Sequence, residues 1–115
     1  MSTQEVFEHH REAFGEQDME GILDLRDEDS LVVTNFGVYQ GLDEIEELFT
    51  DLFEVFSDED LEFAILDEVV EGDVAFFSWE AETSDEVYSF GADTFIVIDD
   101  VIRYQTVAVD KTEKN

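Results

Sequence analysis

Apolar positions recur with a helical period through the first half of the chain and in alternation through the second. Val6, Phe7, His10, Ala13 and Phe14 fall three and four apart, so residues 4–16 read as a helix with one apolar face. Residues 18–26 read as a second, shorter helix, with Asp18 placed to cap its first turn and Ile22, Leu23 and Leu25 apolar. DEDS (27–30) is a loop and LVVTNF (31–36) a short strand, after which Gly37 and Gly41 punctuate a turn. The clearest helix spans 43–56. Asp43 with Glu46 fits a capping box, and Glu44 and Glu47 suit the positive end of the helix. Ile45, Leu48, Phe49, Leu52, Phe53 and Phe56 form its apolar stripe, and SDED (57–60) ends it.

From residue 61 the pattern is that of strands, near 61–71, 73–83, 87–98 and 101–109. Gly72-Asp73, Ser84-Asp85-Glu86 and Asp99-Asp100 mark three hairpins, and no proline interrupts them. Helices gathered before a four-stranded antiparallel meander predict an α+β fold, with helices on one face of the sheet. Residues 1–115 read as a single domain.

The last hairpin can be registered. With Asp99-Asp100 as a two-residue loop, Ile98 opposes Val101, Phe95 opposes Tyr104 and Asp93 opposes Thr106. Alternation then puts Asp93, Phe95, Val97, Ile102, Tyr104 and Thr106 on one face. The other holds Thr94, Ile96, Ile98, Val101, Arg103, Gln105 and Val107. One face should meet the helices. The second carries enough Ile and Val to predict a homodimer contact through Ile96, Ile98, Val101 and Arg103. The Gly72-Asp73 hairpin has two registers: a two-residue loop sets Leu66 beside Trp79, and a three-residue loop sets Asp67 beside Phe77. Ala75, Phe77, Trp79 and Ala81 share a face in either case.

Composition adds an ordinary core and an extreme charge. Hydrophobic residues make up 43% and aromatics 13%, with 11 Phe, which argues for a folded chain. Yet 33 Asp and Glu stand against 5 Lys and Arg, a net charge of −28. The acids run from residue 5 to residue 113, and both lysines, Lys111 and Lys114, lie in the last five positions. Nucleic-acid mimicry, a basic partner, cation binding and adaptation to high salt all fit such a surface. The even spread with almost no lysine reads as a halophile's habit, in which molar salt screens self-repulsion. Nucleic-acid binding is excluded by the lack of any basic patch.

No cysteine is present, so thiolate chemistry and disulfides are excluded. The N-terminus lacks a signal-type apolar run and no stretch reaches membrane length, which predicts a cytoplasmic protein. DEDS and SDED lack the glycine and terminal glutamate of a calcium loop, and adjacent His9 and His10 diverge on a helix. No metal or cofactor is implied.

Asp93 stands apart from the other acids because it keeps step with Phe95 and Val97 on a strand. Buried there, its carboxyl would have a raised pKa suited to proton transfer near neutral pH. The alternative is a carboxylate at a wet strand end. His10, on an apolar helix face, is either a core residue or a partner of Asp93. Tyr104 lies diagonal to Asp93 in this register, within reach of a shared ligand.

The order of elements, with EAFGEQDMEGILDL (12–25), YQGLDEIEELF (39–49) and GADTFIVIDDVIRYQTV (91–107), resembles the nuclear transport factor 2-like superfamily, and within it the SnoaL-like and ketosteroid isomerase-like branch. The resemblance spans nearly the whole chain. It implies a cone-shaped roll of three N-terminal helices packed on a curved, mostly antiparallel sheet around an apolar pocket. It also implies that Asp93 points into that pocket, at the position of the protonated aspartate with which ketosteroid isomerases bind an oxyanion, the behaviour of a carboxyl kept neutral by apolar surroundings. His10 falls where those enzymes place a tyrosine. Their general base would lie near Thr34 or Asn35, and neither residue can act as one, so a steroid isomerase mechanism is not implied.

Three functions follow. The first is an enzyme acting on a small apolar carbonyl compound by isomerisation, cyclisation, dehydration or hydrolysis. Its catalytic residues would be Asp93, His10 and Tyr104, in a pocket of Phe14, Thr34, Phe53, Trp79, Phe95 and Thr106. The second is a binding module with the same pocket and no chemistry. The third is a dimerisation domain whose pocket is filled by its own aromatics.

Overall fold

The computed structural model describes residues 1–114. Helix α1 (Thr3–Gly15) is followed by α2 (Met19–Asp24), strands β1 (Leu31–Thr34) and β2 (Gly37–Gln40), and helix α3 (Gly41–Phe56). Four longer strands complete the chain: β3 (Glu62–Glu71), β4 (Val74–Glu82), β5 (Glu86–Ile98) and β6 (Val101–Glu113). Together with β1 and β2 they form one six-stranded sheet in the order β2-β1-β6-β5-β4-β3. All neighbours are antiparallel except β1 and β6. The predicted α+β architecture is the one observed.

Local sequence accounts for most boundaries. Ser2 caps α1 and forms a reciprocal box with Glu5, and the Asp18 carboxylate accepts from the Gly21 N–H at 3.1 Å. Val6, Phe7, His10 and Ala13 are the buried stripe of α1, as their spacing requires. At α3 the cap differs from the expected Asp43–Glu46 box. The helix begins at Gly41, which takes a φ of +80° suited to glycine, and Glu44 reaches back to the Gln40 N–H at 2.9 Å. The residues expected to form only a turn include β2. A four-residue strand that starts on one glycine and is followed directly by another is too short to show a strand period.

The core lies between the helices and the inner face of the sheet. Phe7, Phe95, Ala75 and Ile102 are fully enclosed near α1, and Ile22, Val32, Ile45 and Phe49 near α3. Ala75, Phe77, Trp79 and Ala81 are all buried on the inner face. Gly72-Asp73 is a two-residue loop. A bulge at Leu66 shifts the pairing, so Ile65 rather than Leu66 opposes Trp79.

The β5–β6 hairpin departs from the simple register in a way that decides the site. Asp99 and Asp100 form the two-residue turn with φ of 53° and 68°, and Ile98 and Val97 pair with Val101 and Ile102 as expected. The register then slips by one residue at Arg103, and Ile96 faces Tyr104, Phe95 faces Gln105 and Asp93 faces Val107. The slip is held from outside the sheet. The Ile102 N–H bonds to the Leu25 carbonyl at 2.8 Å, Ser30 Oγ donates to the Ile102 carbonyl at 2.8 Å, and Arg103 pairs with Asp27 at 2.8 Å. The segment after α2 therefore clamps β6 at its bulge. Every side chain beyond Arg103 has the opposite facing from the unbulged expectation.

Candidate functional site

A cavity of about 930 Å³ opens between the helices and the curved sheet. Its walls are aromatic: Phe14, Phe49, Phe53 and Phe56 from the helices, and Phe63, Phe77, Trp79 and Tyr88 from the sheet. The volume suits a small organic ligand, so the chain's own phenylalanines do not fill the space. The buried polar residues lining it are His10, Asp93 and Gln105, whereas Asn35, Asp51 and Asp110 line it from exposed positions.

Asp93 is 8% exposed, and both its oxygens are held. Trp79 Nε1 donates to Oδ1 at 3.0 Å and Gln105 Nε2 donates to Oδ2 at 3.2 Å. Loss of water around the carboxyl pushes its pKa up to about 6; the Trp79 and Gln105 hydrogen bonds and the Arg26 charge oppose that rise. Asp93 is thus largely ionised at neutral pH and close to its titration point.

Glycine at position 91 makes the Trp79 contact possible. Trp79 pairs with Gly91 across β4 and β5, and a Cβ at 91 would lie 2.2 Å from the indole Cε2. The bare backbone lets the indole lie across β5 and reach the carboxylate two residues further on.

Behind Gln105 sits Arg26, 5% exposed. Its Nη2 donates to Gln105 Oε1 at 2.5 Å and lies 3.3 Å from His10 Nδ1, and its Nη1 donates to the Ile22 carbonyl at 2.9 Å. The guanidinium carbon stands 5.0 Å over the Phe49 ring. Burial lowers its pKa to about 9, with Asp93 opposing, and it remains a cation at neutral pH. His10 is packed against Phe95 at 4.7 Å between ring centres, and burial, followed by the Arg26 charge, holds its pKa well below 6.5. The imidazole is neutral at pH 7. A hydrogen-bonded chain thus runs from His10 through Arg26 and Gln105 to Asp93 and Trp79.

The structure brings Asp93, His10, Phe14, Phe53 and Trp79 to the cavity and leaves four other expected residues elsewhere. His10 meets Asp93 only through Arg26 and Gln105. Tyr104 is 44% exposed on the outer face and cannot share a ligand with Asp93, and Thr106 is exposed beside it. The bulge at Arg103 reverses both. Thr34 spends its hydroxyl on the β1–β2 turn, donating to the Gly37 carbonyl at 2.7 Å and accepting from the Phe36 N–H at 3.0 Å. Phe95 lies beneath the cavity in the core, against Phe7 and Phe77. Arg26 and Gln105 were not foreseen. A signal existed for Arg26: it is one of only 5 basic residues and directly follows an apolar helix face. None existed for Gln105, whose facing depends on the bulge. Among the described residues no cluster of three or more His, Asp or Glu side chains is arranged to hold a metal ion. None of the described helices is long and apolar enough to cross a membrane.

The amino-acid sequence matches a known family profile. The SnoaL-like domain profile covers residues 7–105, and the chain belongs to that family. Solved structures agree on the fold. A Kribbella flavida protein called a ketosteroid isomerase superposes with a TM-score of 0.77 at 14% identity, covering 98% of this chain and 81% of its own. A Sinorhizobium meliloti protein called a polyketide cyclase gives 0.74 at 14% identity, covering 93% and 99%. An NTF2-like protein of unknown function from Cytophaga hutchinsonii gives 0.73 at 11% identity, covering 96% and 91%. None of the curated proteins compared with the chain matches it.

Proposed function

We propose that the chain binds a small, mostly apolar carbonyl compound and moves a proton at a carbon next to the carbonyl, with Asp93 as the general base. One observation carries the reading: the buried Asp93 carboxyl lines an aromatic cavity of about 930 Å³, where burial pushes its pKa up to about 6. A base whose pKa lies near the working pH combines an available lone pair with adequate basicity. Asp93 takes the proton from carbon, the C–H electron pair becomes the carbon–carbon double bond of an enolate, and the carbonyl pair moves onto oxygen. Return of the proton at another carbon gives isomerisation, and attack of the enolate on a second carbonyl gives ring closure. The names of the two similar structures, ketosteroid isomerase and polyketide cyclase, fit this chemistry. An oxyanion-donor role for Asp93 is less suited to these surroundings, because both its oxygens accept hydrogen bonds. The same double engagement favours a second reading, a binding module without chemistry.

Solvent deuterium exchange separates the two. A panel of cyclic and aryl ketones is incubated with the protein in D2O and followed by NMR. The enzyme reading expects exchange next to the carbonyl, accelerating as pH rises through about 6 and falling on the order of a hundredfold in Asp93→Asn. A ketone that binds the cavity and exchanges no faster than in buffer refutes it.

The reading includes a homodimer in a soluble, salt-adapted, cytoplasmic protein. Across the outer face the register aligns Val33, Thr106, Thr94, Phe76 and Val69, a row over five strands without a charge. Two chains of net charge −28 approach most easily over ground free of carboxylates. The contact is centred on Thr94, Ile96 and Tyr104 rather than on Arg103, which is engaged with Asp27. Ile96→Glu should convert a sedimenting dimer to monomer, and an unchanged sedimentation coefficient would exclude this face.

A further inference from the structure

We propose that Arg26 is a positioning residue of this site, holding His10 as the Nε2–H tautomer and fixing the Gln105 amide, so that the cavity is offered one imidazole N–H donor beside one carboxylate. The inference deepens the proton-transfer reading and rests on it for its purpose, but its geometry stands separately. A guanidinium has five N–H donors and no acceptor. Whatever faces it within hydrogen-bond distance must present a lone pair. His10 Nδ1 lies 3.3 Å from Arg26 Nη2, so Nδ1 is the unprotonated nitrogen. The ring is neutral, so its proton is on Nε2. Among the described residues no protein group is bonded to Nε2, and His10 lines the cavity.

The same logic orients Gln105. Its Oε1 accepts from Arg26, which leaves the amide nitrogen to donate to Asp93. One fork of donors thereby sets two polar side chains that reach the cavity from different elements, α1 and β6. The backbone delivers Arg26 to this place. Its own N–H bonds to the Leu23 carbonyl, and the neighbouring Leu25 carbonyl accepts from Ile102 at the β6 bulge, so the bulge that turns Gln105 inward also docks the arginine over it. Arg26 touches no ligand space itself.

The chemical consequence concerns the enolate oxygen. Proton removal by Asp93 builds negative charge on the carbonyl oxygen, and a fixed neutral N–H donor stabilises that charge without reorganising. Neutral imidazole in this electrophilic role has precedent in enzymes that hold it below its titration range. A merely structural Arg26 would serve only to bond the Ile22 carbonyl at the end of α2 and would leave the ring tautomer free.

The test is the long-range proton–nitrogen correlation spectrum of the imidazole rings in the uniformly nitrogen-15-labelled full chain, in molar KCl at neutral pH. The chain has two histidines, and exposed His9 serves as the internal comparison ring. His10→Gln assigns the second ring. The wild type should show His10 Nδ1 as unprotonated and Nε2 as protonated, with no averaging. Arg26→Met should collapse that pattern into averaged tautomers. Arg26→Lys, still donor-only, should keep it. A protonated Nδ1 or an averaged ring in the wild type overturns the proposal, as does a folded Arg26→Met protein with the His10 pattern unchanged. If Arg26→Met does not fold, the wild-type and Arg26→Lys spectra decide. None of these spectra needs a substrate, so failure of the ketone exchange assay and failure of this inference are separate outcomes.

Discussion

Asp93→Asn should stabilise the protein at neutral pH relative to its effect in acid, which is unusual for the loss of a buried, twice-bonded carboxylate. The folded pKa of Asp93 is raised from 3.8 to about 6. A carboxyl raised on folding holds its proton more tightly in the native state. Its stabilising contribution is therefore complete below about pH 3.8 and is lost as pH rises through about 6. The gap, at about 1.4 kcal/mol per pH unit, makes the ionised side chain cost about 3 kcal/mol of stability above pH 7. Asparagine removes that ionisation but brings a mismatch of its own. Arg26 holds Gln105 with its amide nitrogen toward position 93, and Trp79 presents an N–H from the other side. One oxygen cannot satisfy both, and the leftover donor costs about 1–3 kcal/mol at every pH. The variant's stability relative to wild type should therefore rise by about 2.4 kcal/mol between about pH 4 and pH 7.5, because part of the full span has already passed at pH 4. Urea unfolding of both proteins in molar KCl measures it, because the other 32 carboxylates cancel in the difference. A difference that stays flat within about 1 kcal/mol over that range would show that Asp93 is not ionised in a desolvated site, and the general-base reading would fall with it.

Trp79→Phe removes a hydrogen bond that lowers the Asp93 pKa, so the carboxyl should titrate above about 6, and the acid limb of any exchange activity should move up with it. An unmoved limb would mean that the indole N–H does not touch the working carboxylate. Gly91→Ala puts a methyl into the Trp79 indole and should destabilise the fold by roughly 3 kcal/mol, the sum expected for overpacking and a displaced bond to a charged group, read by thermal unfolding. A variant as stable as wild type would place the indole elsewhere. Salt should matter more than any of these. At a net charge of −28 the folded chain should lose stability as KCl is lowered from molar to millimolar and regain it on addition, as followed by circular dichroism. A chain equally stable at both ends of that range would refute the halophilic reading.

The sequence by itself determined what depends on local periodicity and turn chemistry. The apolar stripes set the three helices, Asp18 capped the second, and Asp99-Asp100 set a two-residue hairpin. Strand alternation placed Asp93 inward with Phe95 and Val97, because all three lie on β5 within one uninterrupted run. Family resemblance, carried by weak motifs in the right order, supplied the roll and the cavity. Tertiary structure alone decided what lies opposite Asp93. The bulge at Arg103 has no local signature, since it is held by Leu25, Ser30 and Asp27 about 75 residues away in the chain. One residue of slip exchanges Tyr104 and Thr106 for Gln105 and Val107 on the inner face. It also brings Arg26 over Gln105, a contact between residues whose relation cannot be read from either segment alone. A strand's period fixes which residues share a face within it, but pairing and bulges fix which faces meet, and those are set by the rest of the fold.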